Sequence, residues 1–326
     1  MQATPAVNAT ATGESSAAEA GMTAGVTDLE LSGRTVLVAS DGSTVSHAVA
    51  LVAADLEREH GVVPAVLFVF DLSAYPVPPL LSEAIGAADD LLGTQVHDEQ
   101  RHEIAAKLAA VVPAAARWPV HVAAGTPPVQ ITTYAERMNV ALTVIGLCPH
   151  RRIDRVIRDE TTLRVLRHAV TPVLAVLETA TSLPHRIVVG IDFSRASVGA
   201  ARAALAIAAT GASLTLLHVE QPGEGDAAEE GARVIHELGV AGALARLREY
   251  LIAHSPATRG ISIDTAVATG RPSHQLLEHA RAAGADLIAV ASRRHGAVER
   301  LMLGSVTDEL TRAAARSLLV VPPTRG

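Results

Sequence analysis

The sequence predicts an α/β chain built as two tandem, doubly wound domains. Three observations carry this. Short, continuous apolar runs that fit strands buried on both faces alternate with longer segments of helical periodicity, which implies parallel sheets flanked by helices. The order of these segments repeats: Gly125-Thr126-Pro127 matches Gly270-Arg271-Pro272, Gly146 matches Ala291 and Leu174 matches Leu319, each pair 145 positions apart. A period that long marks duplicated domains rather than a solenoid of short units. Finally, 326 residues suffice for two domains of ordinary size, each able to bury its own core.

Residues 1–30 are rich in Ala, Thr, Gly and Ser, lack apolar periodicity and read as a flexible tail. The first domain spans 31–178. Its strands are expected at Thr35–Ala39, Val62–Phe70, Pro119–Ala123, Ala141–Gly146 and Val173–Val176, and its helices at roughly 45–59, 87–111, 128–138 and up to His168. A linker at 179–185 leads to the second domain, 186–326, with strands at Ile187–Ile191, Leu214–Val219, Ile261–Val267, Leu287–Ala291 and Leu318–Val321. A long helix is expected to end near His254. Asp41 and Asp192 lie 151 positions apart, so the first half carries a few extra residues in its middle.

Composition removes several function classes. A net charge of −7 offers no basic field for nucleic acid, and with aromatics at 2% base stacking is nearly unavailable. Lys107 is the only lysine, which excludes a G-x-x-x-x-G-K-[ST] loop. Cys148 is alone, so there is neither a disulfide framework nor a thiolate metal cluster; beside Pro149 it is expected in an exposed loop. No apolar run approaches the roughly 20 residues of a membrane span. Without a basic, apolar leader the chain is expected to be cytoplasmic.

The chemistry concentrates at one corner. The strand Leu287–Ala291 runs into the basic loop Ser292-Arg293-Arg294-His295, and Gly304-Ser305 then opens a helix with apolar residues at Val306, Leu310, Ala313 and Ala314. Small residues there leave helix N-terminal amides uncovered, and such amides attract anions. In a doubly wound sheet, ligands bind at the carboxyl ends of strands where the strand order reverses. That places Asp192, at the end of the second domain's first strand, beside this loop. An acidic residue there suits a ribose hydroxyl or a metal-bridged phosphate; it also suits an N-cap. His218 ends a strand and is expected to be packed. His97 and His102, and likewise His274 and His279, lie five apart, off the spacing of a helical metal pair.

Read together, I-V-V-G-I-D-F-S, L-T-L-L-H-V-E, G-R-P and A-S-R-R-H-G followed by L-G-S-V-T-D-E-L resemble the universal stress protein family, over about Gly33 to Pro323 as two copies. The resemblance implies a five-stranded parallel sheet in each domain. It also implies, for nucleotide-binding members, an ATP loop of the form G-x-x-G-x(9)-G-[ST]. Carried over, Ala291 and Arg294 stand at the first two glycine positions and Gly304-Ser305 at the last pair. Asp192 falls near the ribose and Val219 against the adenine, and Ile191, Ser292, Arg293, His295, Gly296 and Val306 complete the expected site. Arg294 either blocks close approach of the backbone or turns its guanidinium to phosphate. In the first half Gly146 is kept, Pro149 replaces the second glycine and Asp159-Glu160 replace Gly-Ser, which puts carboxylates where phosphate belongs.

The expectation is a non-enzymatic stress-response protein that binds ATP, or a related adenine nucleotide with its magnesium, in the second domain and acts as a sensor or adaptor. The alternative is a scaffold working through domain pairing and an unidentified protein partner. The family pairs domains through their last strands, so Val173–Val176 and Leu318–Val321 are the candidates for an intramolecular pseudo-dimer or a homo-oligomer.

Overall fold

The computed structural model describes residues 29–71, 93–148, 156–221, 230–255, 260–292, 304–313 and 315–323. The expected tail, the Pro-rich loop near residues 75–79 and the acidic loop from 223 fall almost wholly outside these.

The first half contains β1 (Thr35–Ala39), α1 (Thr44–His60), β2 (Val63–Asp71), α2 (Gly93–Val111), a 3-10 turn (Pro113–Arg117), β3 (Val120–Gly125), α3 (Pro127–Arg137), β4 (Leu142–Leu147), α4 (Val156–His168) and β5 (Val173–Leu177). The second contains β6 (Arg186–Ile191), α5 (Arg195–Ile207), β7 (Ser213–Glu220), α6 (Glu230–His254), β8 (Ser262–Thr269), α7 (Pro272–Ala282), β9 (Leu287–Ala291), α8 (Ser305–Ala313) and β10 (Ser317–Val321). The apolar runs of the inner strands β1, β4, β5, β6, β9 and β10 became strands because their branched side chains are covered on both faces, while the edge strands β3 and β8 stay partly exposed. The two G-x-P segments have a shared physical cause. Gly125 and Gly270 leave their strands at φ 135° and 136°, a region closed to side chains, and the prolines begin α3 and α7, where a missing N–H costs nothing.

Among the described residues the ten strands form one sheet, in the order β3-β2-β1-β4-β5-β10-β9-β6-β7-β8. Within each half the five strands are parallel. The halves join where β5 and β10 pair antiparallel, with Leu174 opposite Leu319. This junction changes one expectation: the halves do not keep separate cores. Alternating strand residues divide the apolar interior between the two faces of the sheet, and each face runs through both halves. One face packs Val36, Val144, Leu174, Leu319 and Val189 under α1, α2, α5 and α6. The other packs Leu37, Ile145, Ala175, Val320 and Val188 under α3, α4, α7 and α8. The segment between the halves is part of this packing. Leu183 is buried and donates its N–H to Asp55 Oδ2 at 3.3 Å, and the His185 and Arg186 amides donate to the two Asp286 oxygens at 3.0 and 3.1 Å.

Candidate functional site

In the second half the chain leaves β6 for β7 on one side, while β9 lies on the other. The carboxyl ends of these strands therefore part at a topological switch point, where side chains leave room. A cleft of about 210 Å³ opens there. Its floor is Leu217, Val219 and Val290; Pro272 and Leu276 of α7 form one wall; Asp192 and Ser197 come from the β6–α5 turn; Gly304, Ser305, Val306 and Thr307 bring the start of α8. The first amides of α8 have no carbonyl partner one turn earlier within the helix, the first such bond being Asp308 N–H to Gly304 O at 3.0 Å.

Of the expected residues, the fold brings Ile191, Asp192, Val219, Ala291, Gly304, Ser305 and Val306 to this cleft. Ser292 is not among the lining: it is buried and its N–H donates to Val321 O at 2.9 Å, continuing the β9–β10 ladder. Arg293, Arg294, His295 and Gly296 lie outside the described residues. Sequence reading missed Gly190, Ser197, Leu217, Gln221, Pro272, Leu276, Val290 and Thr307. Strand periodicity from Asp192 and Val219 would have given Gly190, Leu217 and Gln221, and the G-R-P turn would have given Pro272. Ser197 and Thr307 carry no such signal.

Asp192 is not the helix cap. Ser194 is the N-cap of α5, its Oγ accepting the Ser197 N–H at 3.2 Å. Asp192 Oδ1 accepts from Ser194 N and Ser194 Oγ at 3.0 and 2.5 Å, and the Asp192 N–H donates to Ser197 Oγ at 3.4 Å. A related knot forms in the first half: Asp41 Oδ1 accepts from Ser43 N and, in place of a Ser43 hydroxyl, from Ser46 Oγ, both at 2.9 Å. The intervening residue differs. Gly42 and Phe193 both have positive φ, and Phe193 holds this strained conformation with its ring 4.9 Å from that of His218. His218 is engaged as expected, its Nδ1 lying 2.8 Å from Ile191 O.

The glycine-to-alanine exchange at the end of the fourth strand has a packing explanation. Gly146 has no positive φ, and neither does Ala291. A Cβ at Gly146 would lie 2.5 Å from Val45 Cγ1 and 3.3 Å from Val45 Cβ. The repeat counterpart of Val45 is Ala196. Val45 stands over Gly146 in the first half, and the second half carries alanine at both equivalent positions, Ala196 and Ala291. Glycine at this position makes room for α1, and alanine in the second half carries no backbone penalty.

Two ionic clusters secure α8. Glu309 accepts from Arg271 Nη2 at 2.9 Å and from Ser273 Oγ, tying α8 to the start of α7. The Ser273 hydroxyl, followed by the Arg271 charge, holds the Glu309 carboxyl below its ordinary value. Asp308 is paired with Arg312 Nε at 2.7 Å and with Arg167 Nη2 of α4 at 3.2 Å. These guanidiniums, Arg312 foremost, hold its carboxyl low against the opposing effect of burial.

In the first half α4 begins at Val156, so Asp159 and Glu160 sit within its opening turns rather than at its cap. Cys148, expected in an exposed loop, is only 7% exposed. Its position directly after the buried β4 covers it. Among the described residues no three or more His, Cys, Asp and Glu side chains converge as a metal site, and no helix is long and apolar enough to cross a membrane.

Known proteins share this architecture. A crystal structure of a universal stress protein from Archaeoglobus fulgidus DSM 4304 is similar over 92% of this chain and 99% of its own, with TM-score 0.58 and 23% identity. A functionally unknown protein from Pseudomonas aeruginosa PAO1 is similar over 89% of this chain and 92% of its own, with TM-score 0.53 and 13% identity. Universal stress protein YxiE of Bacillus subtilis (strain 168) is 35% identical over 65 residues, which is 20% of this chain and 44% of that protein. The sequence pattern of the universal stress protein family matches residues 33–176 and again residues 184–322. With most of the chain matched in two tandem segments, the chain belongs to the universal stress protein family.

Proposed function

We propose that the second-half cleft binds ATP or a related adenine nucleotide, with magnesium carried in on its phosphates, and that the protein works as a sensor or adaptor with little turnover. The observation that carries this reading is the convergence, at one strand-order switch point, of an acidic residue, an apolar floor and the N-terminus of α8. The residues fit such a ligand. Leu217, Val219 and Val290 suit the face of a base, Asp192 suits a sugar hydroxyl, and the amides following Gly304 suit a phosphate. Ala291 does not oppose the fit, because its backbone is unstrained. The protein is expected in the cytoplasm, where adenine nucleotides are at hand.

The test is to heat-release and count nucleotide from the purified protein, then titrate the emptied protein with ATP. About one adenine nucleotide per chain, or saturable binding below millimolar ATP, supports the reading. No release and no binding at millimolar ATP would sink it.

A second reading, a scaffold acting through domain pairing and protein contacts, is favoured by the β5–β10 junction. That pairing satisfies within one chain the strands that would otherwise join two. It predicts a monomer by light scattering whose mass is independent of concentration. A dimer that forms without nucleotide would contradict it.

A further inference from the structure

Arg167 of α4 and Arg312 of α8 are counterparts in the repeat, 145 positions apart. Both guanidiniums reach the same carboxylate. Arg312 binds Asp308 through Nε at 2.7 Å and Nη2 at 3.4 Å, and Arg167 Nη2 lies 3.2 Å from Asp308 Oδ1. The counterpart of Asp308 is Leu163, which is buried and apolar. Two related arginines thus converge on a carboxylate that the repeat supplies in the second half alone.

The location of that carboxylate matters for the cleft. Asp308 is in the first turn of α8, directly after Ser305, Val306 and Thr307, which line the cleft. A carboxylate there complements the helix dipole but opposes an anion arriving at the same amides. Arg312 is a neighbour on the same helix and is 53% exposed. Arg167 comes from the other half, and its pair with Asp308 is more sheltered, at 34% and 25% exposure, so salt screens it less. The next carboxylate, Glu309, is already held by Arg271 and Ser273.

We propose that the first half regulates anion binding in the second-half cleft through Arg167, which cancels the charge of Asp308 beside the start of α8. This rests on reading the cleft as a nucleotide site. It gives the first half a role in the second-half site: it donates a cation to it. Arg167 acts through Asp308 and is a positioning residue; it does not touch the ligand.

The test is calorimetric titration of the full chain with ATP and, separately, with uncharged adenosine at low salt. Arg167→Leu is expected to weaken ATP about fivefold, the order of one uncompensated charge near the site in a half-wet environment, and to leave adenosine unchanged. Arg167→Lys should restore most of the loss. Adding Asp308→Asn to Arg167→Leu removes the uncompensated carboxylate and should return ATP affinity to about the wild-type value. Equal losses for ATP and adenosine, or a double variant as weak for ATP as Arg167→Leu alone, would overturn the proposal. Should Arg167→Leu fail to fold, Arg167→Gln keeps the side chain polar and carries the same comparison. Wild-type protein that binds neither ligand overturns the nucleotide reading and this proposal together. Wild-type ATP binding that no Arg167 variant alters overturns this proposal alone.

Discussion

Adding one methyl group at Gly146 should destabilise the protein, and trimming Val45 should largely undo the damage. The added Cβ would stand 2.5 Å from Val45 Cγ1, well inside contact distance. Neither side can yield easily. Gly146 is paired with Val176 in the sheet, and its carbonyl accepts the Thr162 hydroxyl at 2.8 Å, while Val45 is buried on α1. Because the φ of Gly146 is not positive, the penalty is steric and not conformational. Overpacking of this kind costs about 2 kcal/mol, slightly offset by the stiffer unfolded chain. Val45→Ala alone removes two methyl groups and leaves a void, also about 2 kcal/mol. Independent effects would sum to about 4 kcal/mol, whereas the double variant carries the two alanines that the second half has at the equivalent positions and should lose only about 1–2 kcal/mol. Urea unfolding followed by the fluorescence of Trp118, the single tryptophan and a first-half residue, reads the affected half directly. Additive losses, or a Gly146→Ala variant as stable as wild type, would refute the packing argument.

Other outcomes follow from the same structure. Leu319→Ala, a buried second-half change at the β5–β10 junction, should cost about 2–5 kcal/mol and lower the Trp118 midpoint in the first half, since the core is shared; a Trp118 midpoint that stays put would mean the halves unfold independently. Asp192→Asn, which can keep the turn to Ser194 but loses the charge, should weaken ATP about tenfold in a titration; unchanged affinity would remove Asp192 from the site. Ser305→Glu places at α8 the residue found as Glu160 in the first half and should reduce ATP affinity by about a hundredfold or more, with undiminished affinity counting against the α8 amides as the anion site. The Asp308 carboxyl is held low by Arg312 and Arg167, so its contribution is fully present above the unfolded value of about 4 and is lost as pH falls through the lower folded value. Urea midpoints of wild type and Asp308→Asn should therefore converge on acidification below about pH 4; a gap that widens there would reverse the assignment.

Much of this protein was legible in the sequence because its signals are local. A strand covered on both faces must be a continuous apolar run, so β1 and β9 fall where Thr35–Ala39 and Leu287–Ala291 were expected. A strand leaving at φ near +135° requires glycine, and a helix start tolerates proline, so the two G-x-P turns mark the repeat unaided. The end of β6 and the Gly304-Ser305 corner were read in the same way, whereas Val219 entered through the family resemblance. What only tertiary structure decided are contacts between residues distant in sequence, which leave no periodicity behind. The size exchange of Val45 and Gly146 for Ala196 and Ala291 is of this kind. So are the two core layers, each running through both halves, and the two arginines meeting on Asp308. Each depends on β5 meeting β10 antiparallel, or on a helix settling over a strand a hundred residues away, and such packing is fixed by shape and burial in three dimensions rather than by spacing along the chain.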